Sequence, residues 1–83
     1  MAMETNRIRK EDVVRVDIEC DGRKVGEIKR GGFHTVAEAI EAAYAEEGAS
    51  YPKEDCVFTV VNETEGTSER YRINAHGNVK LIV

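Results

Sequence analysis

TVAEAIEAAYAEEG, residues 35–48, is the stretch on which the reading of the whole chain turns. It carries a helical rhythm, whereas the segments around it alternate like strands. Thr35 is a good N-cap, and Glu38 follows three residues later, so the pair reads as a capping box that satisfies orphan N–H groups. Gly31 and Gly32 break the preceding strand. Gly48 stands where a left-handed residue would close the helix. Ala37, Ala39, Ala42, Ala43 and Ala45 are strong helix formers. Val36, Ile40 and Tyr44 recur every fourth residue and mark the stripe that must be buried. Glu38, Glu41, Glu46 and Glu47 load the helix with acid and no basic residue, and the last two sit at the negative end of the dipole.

A helix with one apolar stripe needs a sheet to cover, and the flanks supply it. In residues 13–20, Val14, Val16, Ile18 and Cys20 alternate with Arg15, Asp17 and Glu19, which predicts a strand with one buried face. Asp21-Gly22 is a two-residue hairpin signal, because both central residues of a type I′ turn need positive φ. Residues 23–30 return antiparallel. Setting Ile28 opposite Val16 needs one extra residue, predicted as a β-bulge at Gly26. Residues 49–55 form a loop around Pro52. Cys56, Phe58 and Val60 face one way on the next strand, with Val57, Thr59 and Val61 on the other. Residues 69–74 follow, with Tyr71 and Ile73 inward and Arg70 and Arg72 outward. Placing Phe58 opposite Ile73 and Val60 opposite Tyr71 leaves Glu65-Gly66 as the turn. A three-residue loop, Ala75-His76-Gly77, pairs Ile73 with Val79 and Tyr71 with Leu81 in a last strand over 78–83.

These elements predict an α+β domain in ββαβββ order, a single helix packed on one face of a five-stranded antiparallel-rich sheet. Strand order 2-1-3-4-5 makes every neighbouring pair antiparallel, and 2-1-5-4-3 is the competing order. Residues 1–12 read as a flexible tail with Ile8 as its candidate anchor, and residues 13–83 as one small domain.

The chain has 83 residues, of which 34% are charged and 41% hydrophobic, and a formal net charge of −4. That composition fits a folded globular domain, and the net charge argues against attraction of the whole molecule to nucleic acid or anionic membrane. No apolar run is long enough to span a bilayer, and the first residues lack the apolar core of a secretion signal. Two cysteines are too few for a disulfide scaffold, so a cytoplasmic setting with free thiols is expected. In the 2-1-3 order Cys20 and Cys56 lie at one end of the inner face, with His76 in a loop at that end. Buried thiols, a disulfide and a three-ligand metal site are the alternatives there, and the non-motif spacing argues against the metal.

Chemistry is otherwise sparse. Ser50 and Ser68 lack a neighbouring histidine, no phosphate-binding glycine loop is present, and the carboxylates fall on the helix and in turns. The expectation is a non-enzymatic chain with no cofactor, no metal and no small-molecule substrate. Two segments resemble known families. The start, two strands and a helix, resembles ubiquitin-like β-grasp domains; carriers of that fold end in an exposed Gly-Gly tail, whereas this chain ends in KLIV. The segment GGFHTVAEA resembles the G-F-x-T-x-x-E-A stretch that opens the helix of the AP2-like, DNA-binding N-terminal domains of phage integrases. It covers about nine residues, and only two strands precede the helix here.

The outer sheet face is where a function is expected. It collects Arg15, Lys24, Lys29, Arg70, Arg72 and Lys80, with Val57, Thr59, Val61 and Ile82 among them and Asp17 and Glu19 at one side. Ordinary cross-strand charge pairing is one reading of that face. The other is a binding surface with Val57, Val61 and Ile82 as anchors and Arg15, Arg70, Arg72 and Lys80 around them. The partner would be a protein or a second copy of the chain, giving a possible dimer. Nucleic acid held by Arg70 and Arg72 is the alternative, opposed by the absence of outward aromatics and of a recognition helix.

Overall fold

The structure, a computed structural model, describes residues 8–82. Strands β1 (Val14–Cys20) and β2 (Arg23–Arg30) are followed by α1 (Val36–Ala43), which continues into a π-helical turn, Tyr44–Gly48. A 3-10 turn, Lys53–Asp55, leads into β3 (Cys56–Asn62), β4 (Thr67–Ile73) and β5 (Val79–Leu81). The five strands form one sheet in the order β2-β1-β3-β4-β5, with every neighbouring pair antiparallel. Of the two candidate orders, the all-antiparallel one is therefore adopted.

The helix starts as its sequence dictates. The Thr35 side chain accepts from the Glu38 N–H at 3.1 Å. Glu38 reaches one residue further back than in the usual box and accepts from the His34 N–H at 2.6 Å. That bond, ahead of weaker contributions, holds the Glu38 carboxyl below its ordinary value. Val36, Ala39, Ile40 and Ala43 are buried, and α1 packs over β1, β2 and β3.

The helix ends differently from expectation. Gly48 has no positive φ, so it is not a left-handed cap. It is buried, and a Cβ there would stand 3.1 Å from Tyr44 Cδ1 and 3.2 Å from Ile18 Cδ1. Close packing of the π turn onto β1 leaves little room for a side chain at this position. Tyr44 is half-buried, with its hydroxyl donating to the Tyr51 carbonyl at 2.5 Å.

The β1–β2 hairpin closes on Asp21 (φ 54°) and Gly22 (φ 77°), both in the left-handed region as a type I′ turn demands. Val16 pairs with Ile28 as expected, but the extra residue is Val25: Ile18 faces Gly26 and Glu19 faces Lys24. Gly26 is paired, and its role is space. A Cβ on it would meet the Glu47 Cβ at 2.5 Å and the Glu47 carbonyl oxygen at 3.1 Å.

The β3–β4 register differs from expectation by two residues. Phe58 pairs with Tyr71 and Val60 with Glu69, leaving residues 63–66 as the loop. Asn62 sets that loop: its side-chain oxygen accepts from the Glu65 N–H at 3.0 Å and its carbonyl from the Gly66 N–H at 2.8 Å. A two-residue shift preserves which side chains face inward, so Tyr71 and Ile73 are buried as expected. The β4–β5 register, Ile73 with Val79 and Tyr71 with Leu81, is the predicted one, although β5 is only three residues long.

Of the expected tail, residues 1–7 lie outside the described residues. Ile8 is buried in the core and Asp12 is 2% exposed. One Asp12 oxygen accepts from the Asn62 amide at 3.0 Å and from the Arg9 N–H at 3.1 Å. Those two bonds hold the Asp12 carboxyl below its usual range, the Asn62 amide contributing most. The same asparagine thus shapes the β3–β4 loop and ties the entering chain to it. Among the described residues no helix is long and apolar enough to cross a membrane.

Candidate functional site

Strand registers arrange the outer face of the sheet in three cross-strand rows. One row runs Lys29, Arg15, Val61, Ser68. The next runs Glu27, Asp17, Thr59, Arg70, and Ile82 joins it through its N–H on the Arg70 carbonyl at 2.8 Å. The third runs Lys24, Glu19, Val57, Arg72, Lys80. Val57, Thr59, Val61 and Ile82 are half-buried; Arg70, Arg72 and Lys80 are exposed.

The cations on this face are treated in two ways. Arg15 bridges Asp17 at 3.3 Å and Glu63 at 3.2 Å. Lys24 lies 3.4 Å from Asp17 and also pairs with Glu27, and Lys29 meets Glu63 at 3.0 Å. The Lys24 ammonium is held above its ordinary pKa and the Glu27 carboxyl below its own, each chiefly by their mutual hydrogen bond. Arg70, Arg72 and Lys80 form no side-chain ion pair among the described residues. The seven candidate residues therefore divide. Val57, Arg70, Arg72, Lys80 and Ile82 come together on β3, β4 and β5, with Val61 beside them, while Arg15 belongs to the paired half.

Arg70 and Arg72 also line a groove with Glu19, Asp21, Gly22, Glu54, Asp55 and Val57. The two-residue register shift puts them there, since it places Arg72 opposite Val57 and Arg70 opposite Thr59. The patch is thus three cations with no ion pair among the described residues, around β-branched side chains, with four carboxylates at one end.

The acidic side of the helix is partly neutralised too. Arg30 pairs with Glu46, and Lys53 bridges Glu41 at 3.1 Å while its ammonium lies 5.2 Å from the centroid of the Tyr44 ring. The expected contrast of positive sheet and negative helix is consequently narrower: on the outer sheet face, the cations with no ion pair among the described residues are those of β4 and β5.

Two polar arrangements on the inner side were not foreseen. Asp12 with Asn62 is one. The other is Glu69, which faces inward opposite Val60 and accepts from the Tyr71 hydroxyl at 2.8 Å. Burial first, and then this carboxylate, raises the Tyr71 pKa. The alternation that turned Arg70 and Arg72 outward could have identified Glu69 as inward. Cys20 and Cys56 are register partners with Sγ atoms 2.9 Å apart, both buried and both free thiols. Among the described residues no group of three or more His, Cys, Asp and Glu side chains is placed to hold a metal ion.

Comparison with known proteins gives no family: no family model matches the chain, and no curated protein or solved structure matches it. Neither resemblance seen in the sequence gains a match.

Proposed function

We propose that this chain is a non-enzymatic binding module that takes a protein partner on the β3–β5 half of its outer sheet face. The observation that supports this is the set Arg70, Arg72 and Lys80, exposed and with no ion pair among the described residues, around half-buried Val57 and Ile82, with half-buried Val61 in the next cross-strand row. Apolar anchors ringed by arginine and lysine suit an interface core and rim. Charge complementarity selects an acidic partner segment, one that alternates carboxylates with β-branched residues and lies extended across the strands. A long polyanion suits the surface less well. The net charge is −4, and Glu19, Asp21, Glu54 and Asp55 stand beside the arginines and would repel a continuing phosphate backbone.

The test titrates the chain with a peptide alternating Glu with Val, and separately with a single-stranded oligonucleotide, at low and moderate salt. Binding of the peptide, reduced at least tenfold by Val61→Glu, supports the reading. Oligonucleotide binding that collapses with salt while the peptide fails to bind would replace it with the nucleic-acid alternative. Light scattering on the same samples reads self-association, and a dimer dissociated by Val61→Glu would make the partner a second copy.

A further inference from the structure

We infer that Cys20 and Cys56 are an oxidation site, at which hydrogen peroxide converts two thiols into a disulfide joining β1 to β3. The inference is independent of the proposed binding surface. It rests first on register: the two residues face each other across neighbouring antiparallel strands. Such partners have Cα atoms about 4.5 or 5.5 Å apart, and both separations fall within the range a disulfide spans. The backbone therefore need not move. The Sγ atoms are already in contact at 2.9 Å, so only side-chain rotation separates the thiols from a bond of about 2.04 Å.

The second observation is the asymmetry of the pair. Cys56 is fully buried and its thiol lies 3.4 Å from the Pro52 carbonyl oxygen, to which it donates. Burial, then the bond with Cys20, pushes the Cys56 pKa up to about 12, which makes Cys56 the poorer nucleophile. Cys20 ends β1 at 3% exposure, directly before the exposed Asp21-Gly22 turn. Local opening of that turn gives a small oxidant access to it.

The chemistry follows in two steps. The Cys20 thiolate attacks peroxide, forming an S–O bond and breaking O–O, and the departing hydroxide takes up the thiol proton as water. Cys56 sulfur then attacks the Cys20 sulfenic acid, forming S–S and breaking S–O, and the second hydroxide leaves with the Cys56 proton as water. Two thiols and one peroxide give one disulfide and two waters. Because the resolving thiol is in contact from the start, the sulfenic acid should not accumulate.

The experiment treats the full chain with hydrogen peroxide, then unfolds it in alkylating agent and weighs it. The expected product is monomeric, lighter by two hydrogen atoms and resistant to alkylation, and it melts on the order of 10 °C higher, a gain that dithiothreitol reverses. In Cys56→Ser, Cys20 should instead be trapped by dimedone. Two thiols still alkylated in the treated wild-type chain, an added-oxygen mass, or a dimer linked between chains would overturn the assignment.

Discussion

On β1 and β2, each of the three outward cations, Arg15, Lys24 and Lys29, has a carboxylate within ion-pairing distance. On β4 and β5, Arg70, Arg72 and Lys80 have none among the described residues. The two halves belong to one sheet and carry the same number of outward basic residues, so the difference lies in what stands between them. Asp17 and Glu19 are interleaved with Arg15 on β1, whereas the outward positions of β4 are Ser68, Arg70 and Arg72, its one inward acid being Glu69. Under the first half lie the helix and its π turn, packed on β1 and β2. That half is built for stability. The other carries three cations that make no ion pair among the described residues, and on the proposed reading they are the ones that meet a partner.

The largest expected effect tests the first half. Gly26→Val forces side-chain atoms into the Glu47 Cβ and carbonyl, and should destabilise the fold by roughly 1–3 kcal/mol in denaturant titration. Peptide binding by the folded fraction should be unchanged. The next tests the second half. Arg70→Gln with Arg72→Gln should weaken the acidic peptide at least tenfold, about 1.4 kcal/mol, and change stability by less than about 0.5 kcal/mol. A large stability loss there would erase the distinction between the halves.

A smaller effect concerns acid. The Asp12 carboxyl titrates below its ordinary value of 3.8 in the fold, so its bonds to Asn62 and Arg9 stabilise fully above that value. Their contribution is lost as pH falls through the lowered pKa. Asp12→Asn should lower stability at neutral pH and flatten the decline below about pH 4, read by urea titration across pH. Smallest is Arg15→Gln, which removes pairs with Asp17 and Glu63. Exposed pairs of this kind contribute up to about 1 kcal/mol, and peptide affinity should not change.

Much of this was legible in the chain. Alternation assigned the inner and outer residues of β1, β3 and β4, the Asp21-Gly22 turn fixed its hairpin, and Thr35 fixed the helix start. What alternation cannot supply is offset. A slip of two residues keeps every side chain on its face, so the β3–β4 register waits on the loop that Asn62 organises. That slip matters for the site, because it brings Arg72 beside Val57 and leaves Val61 beside Ser68. The bulge fell one residue away for a related reason: glycine at position 26 answers to the approach of Glu47, a contact distant in sequence. Ion pairing was hidden too, since Glu63 reaches Arg15 and Lys29 from the β3–β4 loop.

The central claim is that recognition belongs to the β3–β5 half of the outer face. Backbone amide NMR of the full chain during titration with the Glu-Val peptide tests it most directly. The account predicts shifts concentrated at Val57, Val61, Arg70, Arg72, Lys80 and Ile82, with β2 and α1 unmoved. Shifts centred on β1 and β2 or on the helix, or none at saturating peptide, would contradict it.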